Sequence, residues 1–172
     1  MTDVRSYLHY FQTLAAQHVD IQDFYVMDIN EPLQALRGSM KFPALIMNSL
    51  SGNFVAHNLD NTLDETKGGF VILGHLDNVD DFSGEMLLLQ HMKQIGQAII
   101  SRMNYDLMKC EPRATKAIIG FRISSVSYQM VDGIFDNCFG FLFSFRLFSS
   151  IDLSYNPDQW DINKPADEGF QY

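Results

Sequence analysis

The chain has 172 residues, of which 21 are acidic and 12 basic, giving a formal net charge of −9. A chain of this length suits one domain that folds without a disulfide or a metal. Sequence-independent nucleic-acid binding depends on Lys and Arg that neutralise phosphates, so the acidic balance argues against it as the main function. The composition, with 19% charged and 13% aromatic residues, indicates a surface partly covered by other chains.

The two cysteines do not lie in a metal-binding pattern. Cys110 and Cys138 belong to no C-x-x-C pair, so we interpret both as buried small hydrophobic residues in a reducing compartment. The first residues include an acid at position 3, which does not fit a signal peptide. No apolar run is long enough to predict a membrane span.

The N-terminal region predicts a helix, a short strand and a second, shorter helix. Apolar residues recur every three or four positions over 3–18, which is typical of an amphipathic helix capped by Thr2 or Asp3. The apolar run at 24–27 predicts a strand. An Asn-Glu-Pro sequence then predicts a short helix over 30–38, because Pro is favoured in a first helical turn.

Strands follow in the middle of the chain. The run at 42–47 predicts one strand, and 53–58 either continues it or forms a strand of its own. Residues 58–68 are polar and acidic, so they are interpreted as an exposed loop. The continuous apolar run at 69–74 predicts a strand that is buried on both faces.

The strongest predicted helix covers about seven turns, from Phe82 to Leu107. Asp81 or Ser83 can cap its start, and Pro112 marks its end. Its methionines alternate with Leu and Ile at the spacing of a core-facing stripe, which favours core packing over a peptide-binding groove.

A long antiparallel hairpin is predicted from 117–131 and 138–149. In the first strand the apolar positions change phase after Ser124 and Ser125, which is typical of a β-bulge. In the second, apolar residues occupy every other position and so share one face. These residues are Phe139, Phe141, Phe143, Phe145 and Leu147.

Taken together, these elements predict an α+β fold. The expected architecture is a mixed, mostly antiparallel sheet with two main helices packed on it and a long C-terminal β-hairpin. Residues 1–151 form a single domain in this interpretation, and 152–172 form a polar C-terminal tail.

No set of residues predicts a catalytic, cofactor or metal site. His75 and Asp77, followed by Asp80 and Asp81, could be read as metal ligands, but acids at a helix start are the simpler interpretation. None of the five histidines accompanies a G-x-S-x-G sequence, so hydrolase chemistry is not indicated. We therefore expect that the protein is not an enzyme and has no cofactor.

Candidate interface residues are more distinct. Trp160, Phe170 and Tyr172 are aromatic residues of the tail without an evident place in the core, and Trp and Tyr are favoured in interfaces. A disordered terminus is the alternative. Phe54 and His57, in the extended segment before the polar loop, are further interface candidates.

The chain resembles the tail-terminator and tail-completion proteins of tailed bacteriophages, particularly those of Bacteroidetes phages and prophages. The resemblance covers roughly residues 1–150. It depends on the order of elements, the F-P-A-L sequence at 42–45 and the D-N-x-x-G-F sequence at 136–141.

This resemblance implies a homo-oligomeric, commonly hexameric ring at the head-proximal end of a phage tail. Its partners would be tail-tube and head-connector proteins, and its location the virion neck, with assembly in the host cytoplasm. DNA would pass through the ring without specific binding, and no membrane is involved. The alternatives are another neck or tail-tube component, a small ligand-binding or metal-dependent α+β domain, and a host interaction module.

Overall fold

A computed structural model describes residues 3–26, 40–58, 61–78, 80–132, 137–151, 153 and 156–159. This described part contains three α-helices, six β-strands and two 3₁₀ helices at Ile123–Ser125 and Pro157–Gln159. In chain order the main elements are α1 (Val4–Gln17), β1 (Asp23–Val26), β2 (Ala44–Met47), β3 (Ser51–Asn58), β4 (Asn61–His75), α2 (Phe82–Met108), α3 (Pro112–Ala117), β5 (Ser127–Asp132) and β6 (Cys138–Ile151).

The strands form one mixed sheet around β4. Five strands lie in the order β1-β2-β4-β6-β5, and β3 pairs with the first half of β4. β1 and β2 are parallel, whereas the other pairs are antiparallel. β2 pairs with residues 70–73 of β4, and β3 pairs with residues 61–67 along the same side. The predicted α+β class, with its C-terminal hairpin of β5 and β6, is confirmed.

Helix α1 begins where the sequence predicts. The Asp3 carboxylate accepts hydrogen bonds from the backbone N–H groups of Arg5 and Ser6, at 3.3 and 3.1 Å, and so caps the first turn. The helix buries a stripe that packs into the main core, consisting of Tyr7, Tyr10, Phe11, Leu14 and Ala15.

Helix α2 is the longest element and packs on the same face of the sheet. The Asp81 carboxylate accepts a hydrogen bond of 2.9 Å from the backbone N–H of Gly84 at its start. Met92 and Met103 are buried as the core interpretation predicts, whereas Met86 near the start is exposed. Pro112 then begins helix α3, which packs against α1.

Alternate residues of β6 build the main core. Phe143, Phe145 and Leu147 are buried on the sheet face that carries the helices, as the predicted alternation requires, whereas Phe139 and Phe141 are only half-buried. The rings of Phe143 and Phe70 lie nearly parallel, with centroids 5.3 Å apart. A smaller cluster of Ile46, Val71, Leu73 and Cys138 lies on the opposite face, so β4 is buried on both faces in its second half.

The predicted strand over 117–126 is wrong, and β5 begins only at Ser127. Pro112 starts a helix that reaches Ala117, and Gly120 then adopts a left-handed conformation, with φ of +69°. Ile118 and Phe121 are buried in the main core, although they do not belong to a strand. The change of phase near Ser124 therefore reflects a 3₁₀ turn before the strand, and not a β-bulge.

The predicted loop over 58–68 is also wrong, because residues 61–68 form the first half of β4. This half pairs with β3 on one side and with β6 on the other. Backbone hydrogen bonds on both sides hold it as a strand although its side chains are polar. Segment 53–58 lies in a separate strand, β3, and does not continue β2.

The cysteines differ from each other in burial. Cys138 is buried as expected, whereas Cys110 is exposed just after α2 and has a φ of +53°. The expectation that both are buried is therefore wrong for Cys110. The helix predicted over 30–38 lies outside the described residues.

Candidate functional site

Phe54 and His57 lie on β3, the strand that flanks the first half of β4. Phe54 is 63% exposed and lines a cavity of about 270 Å³ together with Val4 and Leu50. Of His57 the structure describes only the backbone, which belongs to the strand. Trp160, Phe170 and Tyr172 lie outside the described residues, so their predicted interface role stays a prediction.

β3 and β5 are strand edges on opposite sides of the sheet. Among the described strands, β5 pairs with β6 alone, β3 pairs with β4 alone, and β1, on the same side of the sheet as β3, pairs with β2 alone. Unpaired backbone N–H and C=O groups of an edge strand are able to pair with another chain. The sheet can therefore be extended on both sides, at β5 on one side and at β3 or β1 on the other.

The β5 edge also carries exposed apolar side chains. Tyr128 and Met130 are exposed by 51% and 55%. The Tyr128 ring is held in place by Phe143, with centroids 5.8 Å apart, and by the Lys93 ammonium, 4.6 Å from its centroid. Sequence reasoning placed both residues on a strand but did not identify them as surface residues, because alternation does not tell which face is covered.

The outward face of α2 has an unusual composition. Exposed residues at alternating spacings of four and three form a stripe along most of the helix, and none of them is an Asp, Glu, Lys or Arg. Depletion of charge is characteristic of the centre of protein interfaces. The members are Leu87, His91, Gln94, Ala98, Ser101, Tyr105 and Met108.

The region from His75 to Asp81 does not converge on a site. The His75 imidazole lies 3.5 Å from the Asp77 carboxylate and stacks on the ring of Phe42. Asp81 caps α2. Across the described residues there is no group of three or more His, Cys, Asp or Glu side chains that could hold a metal ion.

The most deeply buried carboxylate among the described residues, that of Asp106, joins the two main helices. The Asp106 carboxylate accepts a hydrogen bond of 2.9 Å from the Tyr10 hydroxyl and one of 2.6 Å from Nε of Arg102. Burial, followed by the hydrogen bond to Asp106, raises the pKa of Tyr10. The hydrogen bond to Asp106 likewise raises the pKa of Arg102. This network ties α1 to α2.

No helix in the described part is both long and apolar enough to cross a bilayer. Comparison of the chain with protein-family models and with curated proteins found no match. The surfaces described above and the resemblance of the sequence to phage tail-terminator proteins are therefore the features that bear on function.

Proposed function

We propose that this protein is a structural component of a phage-like particle that closes into a homo-oligomeric ring at the head-proximal end of the tail. The ring, commonly hexameric in the proteins that the sequence resembles, terminates the tail tube and provides the surface on which the head connector docks. Another neck or tail-tube component is the coarser form of the same proposal. The protein acts by occupying a position between copies of itself, without a catalytic step.

The observation that carries the proposal is the pair of strand edges on opposite sides of one sheet. A closed ring is built from heterologous contacts, in which one surface of each subunit meets a different surface of the next. β5 and β3 could serve as two such surfaces, since they lie on opposite sides of the sheet. Pairing through one edge alone would give a two-fold dimer, whereas two different surfaces allow a ring.

The exposed side chains of these edges support the same proposal. Met130 on β5 and Phe54 on β3 are each more than half exposed. Burial of such side chains against a neighbour contributes about 25 cal/mol for each Å² of apolar surface removed from water. The uncharged stripe on α2 provides a further surface that a neighbouring protein could cover with little desolvation cost.

Electron microscopy of the purified protein mixed with polymerising tail tubes tests the function. We expect rings alone and, in the mixture, rings at one end of each tube and tubes of limited length. The variant Met130→Lys places a charge on the β5 edge and should abolish both. Val19→Lys is the matched control, because Val19 is 93% exposed and lies outside every strand. A protein that never localises to tube ends would contradict the proposal.

A further inference from the structure

The sheet face opposite the helices carries an open cavity of about 710 Å³. Its floor is formed by β4 and β6, and its walls by the segment after β2 and by the segment that leads into β5. The register explains which residues line it. Phe70 and Phe145 face the helices, so Lys67 and Arg146, which oppose each other across the two strands, face the other way.

The cavity is basic although the chain is acidic. Lys67, Arg122 and Arg146 line it, three of the twelve basic residues of the chain. Like charges directly opposite each other on a sheet are destabilising unless an anion lies between them. Glu65 neutralises one of them, with its Oε1 2.8 Å from Nη1 of Arg146.

Two cations remain available. Within the described part no carboxylate forms an ion pair with Lys67 or Arg122. The Arg122 guanidinium instead lies over the ring of Phe148, 5.4 Å from its centroid, at the rim of the cavity. That contact holds the guanidinium beside the cavity while its N–H groups stay free to donate.

Hydroxyl groups complete the lining. Six serines line the cavity, and in the described structure only Ser125 uses its hydroxyl in a hydrogen bond, to the backbone of Arg122 and Arg146. Five hydroxyl donors therefore remain for a ligand. These are Ser49, Ser51, Ser124, Ser127 and Ser144.

We infer that this cavity binds a small phosphorylated molecule, whose phosphoryl oxygens accept hydrogen bonds from Lys67, Arg122 and the serine hydroxyls. Charge-assisted bonds from Arg and Lys are the strongest that a phosphate oxygen receives. The volume lies within the range of about 300–1,000 Å³ that is usual for small-ligand sites. A long nucleic acid fits less well than a small ligand. It would extend beyond the cavity over the surface of a chain with a net charge of −9, which repels a polyanion. This site does not depend on ring formation.

Isothermal titration calorimetry of the full chain with pyrophosphate at low salt tests the inference. We expect saturable binding with one site per chain. The double variant Lys67→Gln/Arg122→Gln should weaken binding by about tenfold or more, since it removes two charge-assisted donors. Circular dichroism of the variant confirms that the fold is retained, because both side chains are exposed.

The matched control is Arg113→Gln/Lys116→Gln. It removes the same two kinds of charge from exposed positions on α3, outside the cavity. We expect its affinity to stay within about twofold of that of the unmodified chain, because neither side chain lines the cavity or can donate to a ligand in it.

Equal loss of affinity in both double variants would overturn the inference, since it would show a general charge effect. Absence of saturable binding by the unmodified chain would also overturn it. If Lys67→Gln/Arg122→Gln instead shifts the emission of Trp160, the single tryptophan, while pyrophosphate does not bind, the cavity receives the acidic segment 152–172 and not a phosphorylated ligand.

Discussion

Gly96 is the residue at which α2 comes closest to β6. A Cβ atom built on Gly96 would overlap the ring of Phe143, whose position is fixed by stacking on Phe70. Gly is otherwise unfavourable in a helix interior, by about 1 kcal/mol relative to Ala. The close approach of helix and strand therefore requires this glycine.

Gly96→Ala should destabilise the protein by about 1–3 kcal/mol, because overpacking of Phe143 exceeds the gain in helix propensity. Urea unfolding measures the change. Gln97→Ala, at an exposed position on the same helix, is the control and should be neutral or slightly stabilising. Gly96→Ala should cost less stability in a chain that already carries Phe143→Leu than in the unmodified chain, because the smaller side chain leaves room for the added methyl group. If the two costs were equal, the effects would be strictly additive and would contradict the contact.

Tyr10 and Tyr7 make stability depend on pH in the alkaline range. Burial raises the pKa of both above the ordinary value of 10, and for Tyr10 the hydrogen bond to Asp106 adds to the effect. Below pH 10 both states hold the phenolic proton, and above it the unfolded chain releases protons that the folded chain keeps. The free energy of unfolding should therefore fall as pH rises above 10, by up to about 1.4 kcal/mol per pH unit for each tyrosine.

Urea unfolding between pH 9 and 11 measures this slope, and Tyr10→Phe should reduce it. The same variant should cost about 1–3 kcal/mol at neutral pH, because the buried Asp106 carboxylate loses one of its two donors. An unchanged slope in Tyr10→Phe would contradict the assignment.

At the scale of elements, the sequence predicts correctly the helices and strands that have a regular pattern of apolar residues. α1, α2 and β6 are found where they were predicted, because each has a continuous pattern and α1 and α2 have a capping Asp. The first half of β4 has no apolar pattern, since its side chains are polar and its pairing with β3 and β6 determines it. No local signal in a single sequence reports such pairing.

Sequence reasoning assigned 117–126 wrongly to a strand and did not find the basic cavity, and the two failures have related causes. Alternating apolar residues between Ala117 and Ile123 imitate a strand, but Ala117, Ile118 and Phe121 are the ones that reach the core, whereas Ile119 and Ile123 are exposed. Lys67, Arg122 and Arg146 lie in three separate segments of the sequence. Only the register of β4 and β6 and the turn before β5 bring them to one cavity, so residue spacing could not have identified it.

Hydrogen exchange tests the corrected assignment of β4. Amides of 61–68 should exchange about as slowly as those of 69–75 and at least about tenfold more slowly than that of Val19, which is 93% exposed after α1, because strands pair with both sides of β4. Mass spectrometry of peptic peptides resolves these segments. Rapid exchange throughout 61–68 would instead fit the loop that the sequence predicted.

At the scale of the whole molecule, the proposed function depends on the faces and edges of the sheet and not on a reactive centre. One face of the sheet is covered by helices, one side presents the β5 edge and the other the β3 and β1 edges, and the second face carries the basic cavity. Edges that remain exposed in a monomer favour aggregation unless a partner covers them. A ring that pairs β5 of one copy with β3 of the next would cover an edge on both sides of every sheet at once, which gives a physical reason for assembly.

Native mass spectrometry of the purified full chain tests this account most directly. The account predicts a closed oligomer, which for six copies of the 19.7 kDa chain has a mass of about 118 kDa. It also predicts that Met130→Lys reduces the oligomer to a folded monomer while Val19→Lys leaves it intact. A chain that stays monomeric at every concentration, or an oligomer that Met130→Lys and Phe54→Lys both leave unchanged, would contradict it.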